Sequence, residues 1–209
     1  MRKALRATLF AAAFLLPGGA FAQVGSETGS DRIVAAREAL RKGDRDTLER
    51  LAAVREPHVL DAYPRYWLLT NLLARSEPPP ASRLEAFLAE EAGSNLAERL
   101  RADWLRRMAK DGDWAGFVRL YAGLQNPDGE LRCAAWTARL LTGDRSALDE
   151  VAQQWDSLTD AHSACDMALR SAVGSGHVGE DQVWQRIRRQ VDTRNPAAAL
   201  ASLTFLTPD

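Results

Sequence analysis

The chain has 209 residues, of which 46% are hydrophobic and 26% charged, and its formal net charge is −1. That length holds one or two domains with a sizeable core, and the near-neutral balance excludes the basic field that a nucleic-acid binder carries. Only two isoleucines occur, Ile33 and Ile187, and no segment alternates polar and apolar residues over strand length, which excludes sheets.

The first element is an export signal. Arg2, Lys3 and Arg6 form a positive start, residues 7–16 an apolar run, and Pro17-Gly18-Gly19 a break, after which Ala20-Phe21-Ala22 supplies small residues for cleavage between Ala22 and Gln23. The apolar run is about half the ~20 residues that a spanning helix needs. Cleavage removes three basic residues and no acidic one, which leaves 24 basic against 28 acidic and a mature charge of −4. Residues 23–30 (Gln-Val-Gly-Ser-Glu-Thr-Gly-Ser) read as a flexible leader.

From residue 31 onward the apolar positions recur at helical spacing. The pattern predicts helices over 31–42, 45–55, 64–75, 81–92, 95–110, 113–122, 129–142, 145–157, 161–173, 181–192 and 197–205. Leu96, Leu100, Trp104 and Met108 share one face, as do Val183, Trp184, Ile187 and Val191. The run 66–73 is apolar nearly all round, which predicts a helix covered on several sides. Prolines 57, 64, 78–80, 127 and 196 are expected between helices.

A Gly-Asp pair recurs at 43–44, 112–113 and 143–144. Glycine closes a helix in the left-handed conformation, and the aspartate then caps the next one, so each pair predicts a tight helix–helix turn. Gly43 and Gly112 stand 69 apart with the proline cluster at their midpoint, Gly143 follows 31 later, and a further 31 reaches Gly174. A period of 31–35 with two short helices per unit predicts an all-α fold, an α-solenoid of helical hairpins over 31–209.

Cys133 and Cys165 are the two cysteines of an exported chain, 32 residues apart on successive units. They are either one disulfide or two separate buried thiols. With His162 they offer three zinc ligands and no evident fourth, so no metal or other cofactor is expected. His58 and His177 complete the histidines. No nucleophile-elbow motif, phosphate loop or dinucleotide fingerprint appears. Glu90-Glu91 and Asp149-Glu150 read as solvated pairs, Arg106-Arg107 and Arg186-Ile187-Arg188-Arg189 as solvated faces, and the six tryptophans (67, 104, 114, 136, 155, 184) as packing between repeats.

Several short stretches, taken in order, resemble the superhelical domain of the soluble lytic murein transglycosylases. They are Tyr63-Pro64-Arg65-Tyr66-Trp67, the segment 100–121 with Trp104, Leu105, Ala109, Asp113-Trp114 and Phe117, then Leu131-Arg132-Cys133-Ala134-Ala135-Trp136, Leu140-Leu141-Thr142-Gly143 and Ala164-Cys165-Asp166. The resemblance covers most of 31–209. It implies helical hairpins curved into a U or ring, a bridge between Cys133 and Cys165, a periplasmic location, and peptidoglycan glycan strands as partner. The family cleaves the MurNAc–GlcNAc bond with one glutamate in a separate lysozyme-like domain, marked by Glu-Ser and Gly-Leu-Met-Gln. Neither motif occurs here, so no catalytic residue carries over, and the catalytic domain is expected outside these residues. The stop at Leu206-Thr207-Pro208-Asp209, partway through the repeats, predicts an uncapped apolar end that associates weakly. The expected role is scaffolding and substrate positioning; the rival is a tetratricopeptide-like module that binds protein.

Overall fold

A computed structural model describes residues 24–158 and 163–206, with the side chains of 24–28 left aside. Eleven α-helices occur among them: α1 (Val24–Lys42), α2 (Arg45–Ala53), α3 (Ala62–Leu73), α4 (Ala81–Glu90), α5 (Asn95–Asp111), α6 (Trp114–Tyr121), α7 (Gly129–Leu141), α8 (Ala147–Gln154), α9 (Asp166–Gly174), α10 (Glu180–Asp192) and α11 (Pro196–Leu203). There is no strand among the described residues, so the chain is all-α. The signal segment with Ala22 and Gln23, and also His162, lie outside the described residues.

Helix extents follow the periodicity closely, with three corrections. The leader expected at 23–30 is helical from Val24, and Gly29 is buried against the segment that carries Glu56 and His58. Pro64 sits inside the first turn of α3, where its missing N–H would be unpaired in any residue. The helix expected from 161 begins at Asp166, after a 3-10 turn at Ser163–Cys165.

The Gly-Asp turns form as their chemistry dictates. Gly112 takes φ 78°, the Asp113 N–H donates back to the Met108 carbonyl at 3.0 Å, and the Asp113 side chain accepts from Gly116 N–H at 2.9 Å. Gly43-Asp44 repeats this, with Asp44 accepting from Thr47 N–H. Gly143-Asp144 closes α7 likewise, but Asp144 accepts from Ser146 N–H, so α8 starts only at Ala147. At the fourth expected position the left-handed residue is Gly176 (φ 75°), while Gly174 is the last residue of α9. A turn of the same build is made by Arg194-Asn195. Arg194 holds φ 59°, Asn195 N–H reaches Gln190 O at 2.8 Å, and the Asn195 side chain accepts from Ala198 N–H.

The core is a series rather than a single mass. Leu48, Ala52, Leu68 and Leu72 join α1–α3; Leu69, Leu84, Phe87 and Leu100 join α3–α5; Leu105, Phe117, Leu131 and Ala138 join α5–α7; Trp136, Val151, Trp155 and Leu169 join α7 to α11. α3, α5 and α7 each place one face in two successive clusters. α1 touches α3, α3 touches α5, α5 touches α7, and α7 touches α9. Helix α3, apolar nearly all round, is covered by α1, α2, α4 and α5. Cys133 in α7 and Cys165 before α9 are bridged, Cα atoms 4.6 Å apart, and both are buried. No helix among the described residues is long and apolar enough to cross a membrane.

Candidate functional site

Most residues that the sequence marks for chemistry serve the fold instead. The arginine pairs are not solvated faces. Arg107 turns inward and donates to the carbonyls of Leu73, Arg75 and Ser76, closing the C-terminal end of α3. Arg186 is only 3% exposed; it donates to the Trp155 and Leu158 carbonyls, and its guanidinium stacks 4.9 Å from the Trp155 ring centre. Arg188 alone of that cluster is exposed and makes no ion pair among the described residues. A helix C-terminus carries partial negative charge and unpaired carbonyls, so a guanidinium from the next hairpin is a natural cap.

The carboxylate pairs are likewise engaged. Arg65 bridges Glu90 and Glu91, with Arg55 on Glu90 as well. Hydrogen bonding from Arg55, and then Arg65, holds the Glu90 carboxyl below its ordinary pKa. Glu150 accepts from Trp136 Nε1 at 3.1 Å and Arg139 at 2.6 Å. Trp104, Trp136 and Trp155 are core, but Trp184, expected beside Ile187, is 40% exposed and donates to Glu180.

One constellation resembles nucleophilic catalysis. Ser175 Oγ lies 2.8 Å from His177 Nδ1, and His177 Nε2 lies 3.6 Å from Asp149 Oδ1. The polarity is wrong. The Ser175 hydroxyl donates to the Ser171 carbonyl at 2.6 Å, so its oxygen faces the imidazole as an acceptor. The neighbouring amides are also spent: Gly176 N–H on Val173, His177 and Val178 N–H on Ala172, and Gly179 N–H on Gln182. No pair of donors remains for an oxyanion, and all three side chains stand in water. The group locks the α9–α10 turn to α8.

An open groove of about 390 Å³ with three charged side chains and a hydroxyl on its walls lies between α3 and α5. Thr70, Leu73 and Ala74 make one wall; Asp103, Arg106 and Lys110 stand on the other. Asp103 is half-buried. Desolvation pushes its carboxyl above the ordinary range, against the pull of Arg106 at 3.4 Å and of Arg99. The Tyr66 phenol, one turn before Thr70 on α3 and outside the groove lining, is also raised, first by burial and then by the Asp103 charge. Arg106 is further held by Glu130 at 3.0 Å and by Asp128. Lys110 makes no ion pair among the described residues and is exposed at the rim. A carboxylate beside a hydroxyl and an ammonium offers mixed donors and acceptors. The sequence signal was present: residues 99, 103, 106 and 110 form a polar stripe on the side of α5 away from Ala97, Trp104 and Met108. Among the described residues no three His, Cys, Asp or Glu side chains gather as a metal site.

Comparison with family models, with curated proteins and with solved structures returns no match.

Proposed function

We propose that this chain is an exported α-solenoid scaffold that positions peptidoglycan glycan strands for a lytic transglycosylase, the catalytic glutamate belonging to a domain other than these residues. The observation that carries the reading is the serial core. Hairpins that touch only their neighbours, with α3, α5 and α7 shared between clusters, suit a curved array with one helix of each hairpin on a common face. In this reading the α3–α5 groove belongs to that face, and its donors and acceptors suit a polar polymer. The bridge between Cys133 and Cys165, and the motifs around it, support the resemblance. In this reading the chain is periplasmic, and its mature form starts at Gln23.

Two measurements test this. The purified chain should sediment with isolated sacculi, and Lys110→Glu with Asp103→Lys should weaken retention; a chain that stays in the supernatant overturns the reading. These residues alone should release no anhydro-muropeptides from murein, and release would overturn the assignment of catalysis elsewhere. A tetratricopeptide-like protein-binding module shares the same helix order. It is favoured by the open apolar groove of Leu141, Met167 and Leu148 between α7, α8 and α9. Capture of a periplasmic protein with no sacculus binding would select it.

A further inference from the structure

We propose that the groove between α2, the 74–80 segment and α4 is a binding site for a small organic anion, with Arg75 as its principal contact. The groove encloses about 600 Å³, and Arg45, Arg75 and Arg83 line it with a single carboxylate, Glu77, among the lining residues. Glu49, outside the lining, is shared between Arg83 at 3.3 Å and Arg45 at 3.8 Å. Arg75 meets only the Asn71 amide oxygen, at 3.4 Å, and makes no ion pair among the described residues. The local balance is therefore one positive charge in surplus, on a chain whose formal net charge is −1.

The backbone that presents Arg75 is restrained on both sides. Pro78, Pro79 and Pro80 restrict one half of it. Arg107 reaches across from α5 and holds the Leu73, Arg75 and Ser76 carbonyls of the other half. A restrained backbone adds no loop-ordering cost when Arg75 binds, and the planar fork of its guanidinium matches a carboxylate or phosphate. The proline wall gives the ligand's carbon body an apolar surface. Carboxylate and phosphate present the same oxyanion chemistry, so the site defines the charge and the probe defines the source.

The test is calorimetric titration of the full chain, at low salt, with citrate and separately with inorganic pyrophosphate. Saturable 1:1 binding of either is expected. Arg75→Gln should weaken it about tenfold, the loss of one charged hydrogen bond, and Arg83→Gln should weaken it less. Arg188→Gln, exposed on α10, should bind like the parent. Citrate alone would mark a carboxylate ligand and pyrophosphate alone a phosphate ligand. Absence of saturation with both, or an equal loss in Arg188→Gln, would overturn the site. Arg75 has one weak side-chain contact, so an unchanged melting temperature in Arg75→Gln certifies the fold.

Discussion

The two ends of this array are held together by different forces. From α7 to α11, fourteen buried residues form one cluster, crossed by the Cys133–Cys165 bridge and by Arg186, whose partners are carbonyls and an indole ring. From α1 to α6 the clusters are smaller, and ion pairs tie helices to one another and to the α2–α3 connection: Arg32 to Glu56 and Asp61, Arg65 to Glu90 and Glu91, Arg83 to Glu49. Carboxylate pairs also occur from α7 onward, Arg139 with Asp144 and Glu150 and Arg189 with Asp156, but there they accompany a covalent bridge that does not titrate. The two halves should therefore yield to different reagents, reductant at one end and acid at the other.

The largest expected effect is at the bridge. Cys133→Ser with Cys165→Ser, or reduction, frees a loop of 32 residues and should cost about 3–4 kcal/mol. For a domain of this size that is a fall of about 10 °C in melting temperature. An unchanged melt under reductant would erase the distinction between the ends.

Next come the two inward arginines. Arg186→Leu strands the Trp155 and Leu158 carbonyls in the core and should cost about 2–3 kcal/mol. Arg107→Leu frees carbonyls at an exposed turn that water can serve, so about 1 kcal/mol is expected. Equal losses in denaturant melts would contradict the comparison.

Acid should loosen the other end first. The Glu90 carboxyl sits below its ordinary value because of Arg55 and Arg65, so its contribution is present at neutral pH and is lost as pH falls through the folded value. Asp103 carries the opposite sign. Its raised carboxyl costs stability when ionised at neutral pH, and that cost fades as pH falls. Asp103→Asn removes that offset, so it should steepen the acid limb and leave stability at pH 7 unchanged or raised. Hydrogen exchange at pH 3.5 should show α3 and α4 opening before α7 and α9; the reverse order would refute the contrast.

The smallest effects lie in the turns. Gly112→Ala places a Cβ at φ 78° and should cost about 1 kcal/mol. Arg194→Gly relieves the same geometry at φ 59° and should stabilise by about 0.5 kcal/mol after the unfolded chain's gain in freedom. Chevron or thermal melts resolve both.

These turns also mark how far the sequence could be read. Gly43-Asp44, Gly112-Asp113 and Gly143-Asp144 announce themselves because glycine tolerates the left-handed region and aspartate caps. Arg194-Asn195 makes the same turn without the glycine, so only the backbone reveals it. Helix extents were legible because apolar spacing is one-dimensional. The direction of an arginine is not: Arg107 and Arg188 look alike in sequence, yet one caps α3 and the other faces water. The α3–α5 groove was half legible, since the stripe 99–103–106–110 shows a polar face but not that Tyr66 and Thr70 lie opposite.

The serial core has a mechanical consequence. A chain stretched from its ends would surrender one cluster at a time, since each hairpin leans only on its neighbours. The bridge withholds its 32-residue span from that extension, roughly 110 Å of contour at full stretch. Under tension the α7–α9 segment would stay short and shaped while the hairpins before it lengthened.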